Sequence, residues 1–264
     1  MRDLGRADIE RELDRLGASL GRPLGVVEVT GSTNDDAKAA SERGAPHGAT
    51  FIADAQRAGR GRGGHAWHSP PGENLYMSVV LRPRLQADRV PPITLAVGAL
   101  AARVVDRFVG EGAGPIGVKW PNDLYAGGRK IGGILVEGRL RGAEVAHVVV
   151  GLGLNIRTAV FPAEIADRAT SLWRLGCERL DRGVIAAALL AEIGAGLVAF
   201  EASGLDPFLS ELAGRDVLRG TNVDVGGERG VAEGIDENGR LLIRRADGSL
   251  CCVASGEVTP ASGE

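Results

Sequence analysis

The sequence predicts an α+β chain, a mixed body of helices and strands followed by a small all-β tail. Three observations predict it. Up to Phe200, stretches with apolar residues at three- and four-residue spacing, the period of a helix that packs one stripe, alternate with short β-prone runs. Between Val118 and Ile156 three such runs follow one another with glycine turns between them. From Asp216 onward the helical period stops, and the turn pairs Gly226-Gly227, Asn238-Gly239 and Asp247-Gly248 divide short β-prone segments, as in a small barrel or sandwich.

Taken in order, Ile9, Leu13, Leu16 and Leu20 line one face of a helix over Asp8 to Leu20, and a strand over Leu24 to Thr30 follows. Gly31-Ser32-Thr33-Asn34-Asp35-Asp36 supplies capping hydroxyl and amide groups and early acids, which predicts a helix opening before Ala37-Lys38-Ala39-Ala40. Strands are expected at Thr50–Ala55 and Leu75–Arg82, then a buried helix at Pro92–Phe108. The next strands fall at Val118–Tyr125, Lys130–Leu140 and Val145–Ile156, with turns at Gly127-Gly128 and Gly142. Asp181 can cap a long helix with Ile185, Leu189, Ile193 and Leu197 on one face. A boundary near Gly214 divides the chain into 1–213 and 214–264.

At 264 residues and 44% hydrophobic content the chain can bury a sizeable core. Taking Arg57, Arg60 and Arg62 away from the formal charge of −3 leaves −6, so one cationic loop sits on a mildly acidic body. That favours a small anionic ligand over long nucleic acid, which calls for a broad basic face. Met1-Arg2-Asp3-Leu4-Gly5 has no apolar signal core, and the longest apolar run, Ile185 to Phe200, is broken by Glu192 and reads as too short for a membrane span. A cytoplasmic protein without membrane contact is expected. Cys177, Cys251 and Cys252 lack metal-ligand spacing, so they read as reduced packing thiols and no protein-held metal is expected.

The cationic loop is Gly59-Arg60-Gly61-Arg62-Gly63-Gly64, with Gln56 before it and His65, Trp67 and His68 after it. Glycine lets backbone N–H groups approach a ligand, and arginine offers a planar fork for phosphate or carboxylate. Gly59, Gly61 and Gly64 match a dinucleotide fingerprint, but such glycines open a helix, whereas these lead into Ser69-Pro70-Pro71-Gly72. Lys119-Trp120-Pro121-Asn122-Asp123 gathers a cation, an amide and a carboxylate around a proline that cannot donate to a central sheet, so it marks a strand edge or exposed turn. Gly127-Gly128-Arg129-Lys130-Ile131-Gly132-Gly133 then sets a lysine at the mouth of the apolar strand ending in Val136-Glu137, outside any ordinary P-loop sequence. Gly151-Leu152-Gly153-Leu154-Asn155 ends a buried strand in an amide able to cap a turn or read a purine edge.

In order and spacing these motifs, with Ser32-Thr33-Asn34, resemble the biotin protein ligases over nearly the whole chain. The resemblance implies the class II synthetase-like and lipoate-ligase-like mixed sheet with flanking helices, followed by an SH3-like β barrel. It also implies two steps: biotin and MgATP give biotinyl-5′-AMP and pyrophosphate, and a lysine of a biotin carboxyl carrier protein then takes the biotin. Residues carried over as catalytic are Lys130, Arg62 and Asp123, with Asp123 orienting the amine, accepting its proton or helping to hold Mg²⁺. Ser32, Thr33, Asn34 and Gln56 fall at the ureido ring and neighbouring ligand groups, Arg62 and Lys130 at the biotin carboxylate and α-phosphate. Arg60, Gly61, Gly132 and Gly133 complete the biotin site. Arg60, Arg62, Trp67, Lys119, Asn122, Lys130 and Asn155 make the ATP site.

Two departures from the family are visible. Members that double as repressors carry an N-terminal helix-turn-helix domain, whereas the first catalytic strand here begins near Leu24, so no DNA binding is expected. His65-Ala66 also stands where family loops often carry further basic residues. The loop itself is expected to be mobile without ligand and to close on the adenylate. A lipoate or octanoate ligase shares the fold and adenylate chemistry, but the Gly59–Gly64 loop and the Lys119–Asp123 run favour biotin. A non-catalytic nucleotide or RNA binder would call for interleaved aromatics, and only 4% of residues are aromatic. Oligomeric state is left open.

Overall fold

A computed structural model describes residues 3–141, 144–177 and 180–261. The body is built on seven strands, β1 (Leu24–Thr30), β2 (Thr50–Gln56), β3 (Leu75–Leu81), β4 (Gly117–Lys119), β5 (Asp123–Ala126), β6 (Arg129–Arg141) and β7 (Glu144–Leu154). They lie in the order β1-β2-β3-β7-β6-β5-β4. Only β1 and β2 run parallel, and the remaining neighbours are antiparallel. Every residue of β3 is buried, which fits an apolar strand covered on both faces. On one face Leu75, Met77, Val79, Val148, Val150 and Leu152 join the main core. On the other, Val80 and Val149 pack with Ala37 and Ala49 in a smaller cluster. The turn expected at Gly142 lies outside the described residues.

Five helices flank the sheet: α1 (Arg6–Leu16), α2 (Thr33–Glu42), α3 (Ile93–Asp106), α4 (Arg182–Ser203) and α5 (Leu209–Arg215). Helix α1 is shorter than its apolar spacing predicts because Gly17 takes the left-handed conformation at φ 62° and stops it. Helix α2 opens at Thr33, within the run expected to start it and with Asp35 and Asp36 in its first turn, although Ser32 ahead of it is extended and makes no side-chain cap. The strand expected over Val118–Tyr125 is two strands, β4 and β5, since Pro121 forces a turn in which Asn122 N–H donates to Lys119 O at 3.2 Å. In α4, Asp181 Oδ1 accepts from Val184 N–H at 3.0 Å, the expected cap. Contrary to the expectation from Glu192, α4 is 22 residues long with a mean hydropathy of 2.1 over its most apolar window, enough to cross a membrane by length and composition. Its apolar side is instead spent in the core, against α1 and α3, with Ile185, Leu189, Ile193 and Leu197 buried.

The tail is a second, antiparallel sheet of β8 (Asn222–Val225), β9 (Glu228–Ile235), β10 (Leu241–Arg244), β11 (Leu250–Val253) and β12 (Val258–Pro260), in the order β11-β10-β9-β8-β12. The glycine turns fall where the sequence places them, and Gly214 lies within α5, directly before the tail. The β4–β5 hairpin is one place where body and tail touch. Trp120 in the β4–β5 turn donates its indole N–H to Gly239 O at 2.9 Å, and Val118 pairs with Asp216 through a parallel bridge.

Candidate active site

On the face of the sheet opposite α3 and α4, the C-terminal end of β2, the start of α2, the middle of β3 and the facing ends of β6 and β7 enclose a pocket with about 440 Å³ of non-atom space, part of it open to solvent. Period-2 alternation puts Gly133, Leu135, Gly151 and Gly153 on this face, and the glycines make the room. A methyl group at Gly151 would overlap Asn34 Oδ1, and one at Gly153 would fall 2.5 Å from Trp67 Cε2. Both glycines therefore serve close approach rather than an unusual backbone conformation.

One end of the pocket is a closed polar network. Gln56 Oε1 accepts from Thr33 N–H at 2.9 Å and Thr33 Oγ1–H at 3.2 Å, and Gln56 Nε2 donates to Ser69 Oγ at 3.0 Å. Ser78 Oγ lies 2.8 Å from Thr33 Oγ1 and 2.6 Å from Asn34 Oδ1. Asn34 Nδ2 donates to Glu137 Oε2 at 2.8 Å. Tyr76 contributes an apolar ring, its hydroxyl donating to Pro70 O at 3.0 Å while burial pushes its phenol well above the ordinary range. Leu135 adds an apolar wall, while Met77, Ile134 and Leu152, which also border the pocket, turn their side chains to the core on the other face.

The other end is cationic. Lys130 Nζ sits 2.6 Å from Asp123 Oδ1 and 5.4 Å from the centre of the Trp67 ring. The lysine is held through its backbone, donating to Arg168 O at 2.8 Å and accepting from Thr170 N–H at 2.9 Å. Arg60 and Gly61 reach the same mouth. The loop is pinned by Trp67 N–H donating to Gly59 O at 2.9 Å and Gly61 N–H to His65 O at 2.7 Å. Asn122, Ile134 and Leu135 also border a larger cleft between body and tail that carries Arg62, Arg89 and Trp120.

Residues 26–155 match the family model described as the biotin/lipoate A/B protein ligase family, and residues 220–259 match the biotin protein ligase C-terminal domain. The Mycobacterium tuberculosis protein named biotin--[acetyl-CoA-carboxylase] ligase is 36% identical over 258 residues, covering 92% of this chain and 91% of its own. The chain belongs to the biotin protein ligases. The bifunctional ligase/repressor BirA of Escherichia coli is 35% identical over 221 residues, 82% of this chain and 68% of the relative. Among solved structures, the Aquifex aeolicus biotin protein ligase in complex with biotin and ATP matches with a TM-score of 0.74 at 29% identity, covering 89% of this chain and 96% of that one.

As in a ligase that must hold an acid beside a phosphate, most of the carried-over residues meet in one place. Ser32, Thr33, Asn34, Gln56, Arg60, Gly61, Trp67, Asn122, Lys130 and Gly133 line the pocket, with Asp123 on Lys130. Besides Asp123, which reaches the pocket only through Lys130, four expected residues do not line it. Arg62 turns away to donate from Nη1 to Gly256 O of the tail at 2.6 Å and lines the larger cleft. Lys119 lies over the Tyr125 ring at 5.4 Å. Asn155 spends its Nδ2 on Thr170 O at 3.0 Å. Gly132 serves the sheet, where a methyl group would come 3.0 Å from Gly153 O. Sequence reasoning missed Ser78 and the partners of Glu137; a small polar side chain within the β-prone run Leu75–Leu81 was the signal for the first.

Proposed function

We propose that this ligase forms biotinyl-5′-AMP from biotin and MgATP in the pocket and passes the biotin to a lysine of a carboxylase's carrier domain, with the body (1–213) holding both substrates and the tail (214–264) closing the cleft. The pairing of a hydrogen-bonding end with a cationic end across apolar walls carries the reading. Thr33, Gln56 and Asn34 suit a ureido ring, Tyr76 and Leu135 its carbon skeleton, and Lys130 with Arg60 the carboxylate. Bringing a carboxylate to a triphosphate opposes like charges, and fixed cations at the point of attack lower that cost throughout the reaction. Lys130, already held by Asp123, bridges the attacking oxygen and the α-phosphate. Arg62 and Arg89 line the cleft into which the rest of the triphosphate extends.

Among the described residues no three His, Cys, Asp or Glu side chains gather as a metal site. Phosphate oxygens and water suit Mg²⁺, with Asp123 the carboxylate at hand. The ion neutralises phosphate charge when bound. Trp67 and the Gly59–Gly64 loop keep water from the anhydride once it forms.

The polar end favours biotin over lipoate, because Thr33, Gln56 and Asn34 can exchange bonds within their network for bonds to a ureido ring, which a dithiolane ring does not offer. The experiment is pyrophosphate release from MgATP with biotin, lipoate, octanoate or no acid. Biotin-dependent release is expected, and release with lipoate or octanoate alone would overturn the substrate assignment.

A further inference from the structure

Within one turn, helix α2 presents two kinds of group. Thr33 and Asn34 face the pocket, while the next residue, Asp35, faces the loop. Arg60 forks onto Asp35, donating from Nη1 to Oδ2 and from Nη2 to Oδ1 at 2.5 Å each. Lys38 Nζ lies 3.0 Å from Asp35 Oδ1 and 2.8 Å from Glu137 Oε1, and Glu137 Oε2 is 4.0 Å from Arg60 Nη2. Two carboxylates and two cations thus interlock at the N-terminus of α2, an end that itself favours negative charge. Glu137 joins this cluster to the pocket floor through its bond from Asn34.

Arg60 nevertheless lines the pocket mouth. A guanidinium has five N–H donors in one plane, and a fork onto one carboxylate uses two of them. The remaining donors stay free for a second anion. Arg60 sits between Gly59 and Gly61, so without an anchor both its rotamers and the loop backbone would have to be ordered as ligand arrives.

We propose that Asp35 is a positioning residue for adenylation: its carboxylate, backed by Glu137, holds the Arg60 guanidinium at the pocket mouth before substrate binds. The cation of the glycine loop is then in place when the acid and the phosphate meet. This rests on the biotin adenylation reading. A carboxylate that merely competed with substrate for Arg60 would have the opposite kinetic effect.

Asp35→Asn keeps the shape and removes the charge. It is expected to lower kcat/KM for biotin-dependent pyrophosphate release about tenfold, most of it in kcat, the equivalent of roughly 1.4 kcal/mol. Asp35→Glu is expected to recover most of the loss. In an Arg60→Ala background, Asp35→Asn is expected to add no further loss, because its effect runs through Arg60. Without any ligand, limited trypsin digestion should cut after Arg60 several-fold faster in Asp35→Asn than in wild type, a readout independent of the substrate. Turnover of Asp35→Asn at or above the wild-type rate, or an equal loss with and without Arg60, would overturn the proposal. A wild-type protein inactive with biotin would overturn the functional reading and the proposal with it, and an accelerated digestion would still show that the Asp35–Arg60 pair holds the loop.

Discussion

Lys130 meets two neighbours of different character, a carboxylate 2.6 Å away and the face of an indole 5.4 Å away. Both limit where its head can go, which suits a cation that must bridge two oxygens as a bond forms between them. Lys130→Ala is expected to cut biotin-dependent pyrophosphate release by on the order of 100-fold or more, as loss of one preorganised charge does. Its thermal midpoint should stay within a few degrees of wild type, because the lysine is held by main-chain bonds that alanine retains. Near-normal turnover by the folded variant would remove Lys130 from the chemistry. At this scale the sequence was read well where a residue's neighbours are local. It was read less well for Arg62, whose direction is set by Gly256, distant in sequence, and for Asp35, which read only as an acid at a helix start.

At the scale of elements, the β6–β7 hairpin makes the pocket floor by leaving side chains out. Gly151 faces Asn34, and Gly153 faces Trp67, so each glycine gives its place to a polar or aromatic group from another element. Gly151→Ala is expected to push Asn34 off Ser78 and Glu137, costing about 1–3 kcal/mol of stability by overpacking and raising the KM for biotin more than it lowers kcat. Urea midpoints and pyrophosphate kinetics check the two effects. An unchanged KM would mean that Asn34 does not shape the biotin end. Strand and helix order was legible because apolar periodicity is written locally, as the expected cap at Asp181 shows. The split of β4 from β5 was less so, since the proline signal at Pro121 competes with β-prone residues on both sides. At the start of α2 the capping run marked the right place but not the right use: Thr33 and Asn34 give their polar groups to the pocket network, and Ser32 makes no cap.

Across the whole molecule, the start of the chain is tied to the middle of the sheet by charge. Arg182, buried at the head of α4, pairs with Asp3 and with Asp54 of β2 at 2.8 Å each. Burial of Asp3 works to raise its pKa, but hydrogen bonds and charge from Arg182, helped by Arg157, outweigh it and hold the carboxyl at about 2 against an ordinary 3.8. A depressed folded-state value means stability that is fully present above the ordinary value and lost as pH falls towards 2. The contribution is about 2 kcal/mol. Asp3→Asn should therefore be less stable than wild type above pH ~5 and approach it near pH ~2, as followed by urea unfolding at each pH. A pH-independent difference would assign the effect to packing.

Trp67 offers an optical handle on the pocket. The chain has three tryptophans. Trp120 is buried between body and tail, Trp173 is half exposed, and Trp67 lies against Gly153 under the Lys130 ammonium, its buried indole N–H without a partner among the described residues. Replacing Trp173 with phenylalanine would strip away the solvent-facing emission and leave Trp67 in the pocket and Trp120 at the cleft as the chromophores that sense occupancy. Adding biotin, then ATP, should change the intensity in two stages, so that affinity and the first chemical step can be followed by light from the native protein with no label attached.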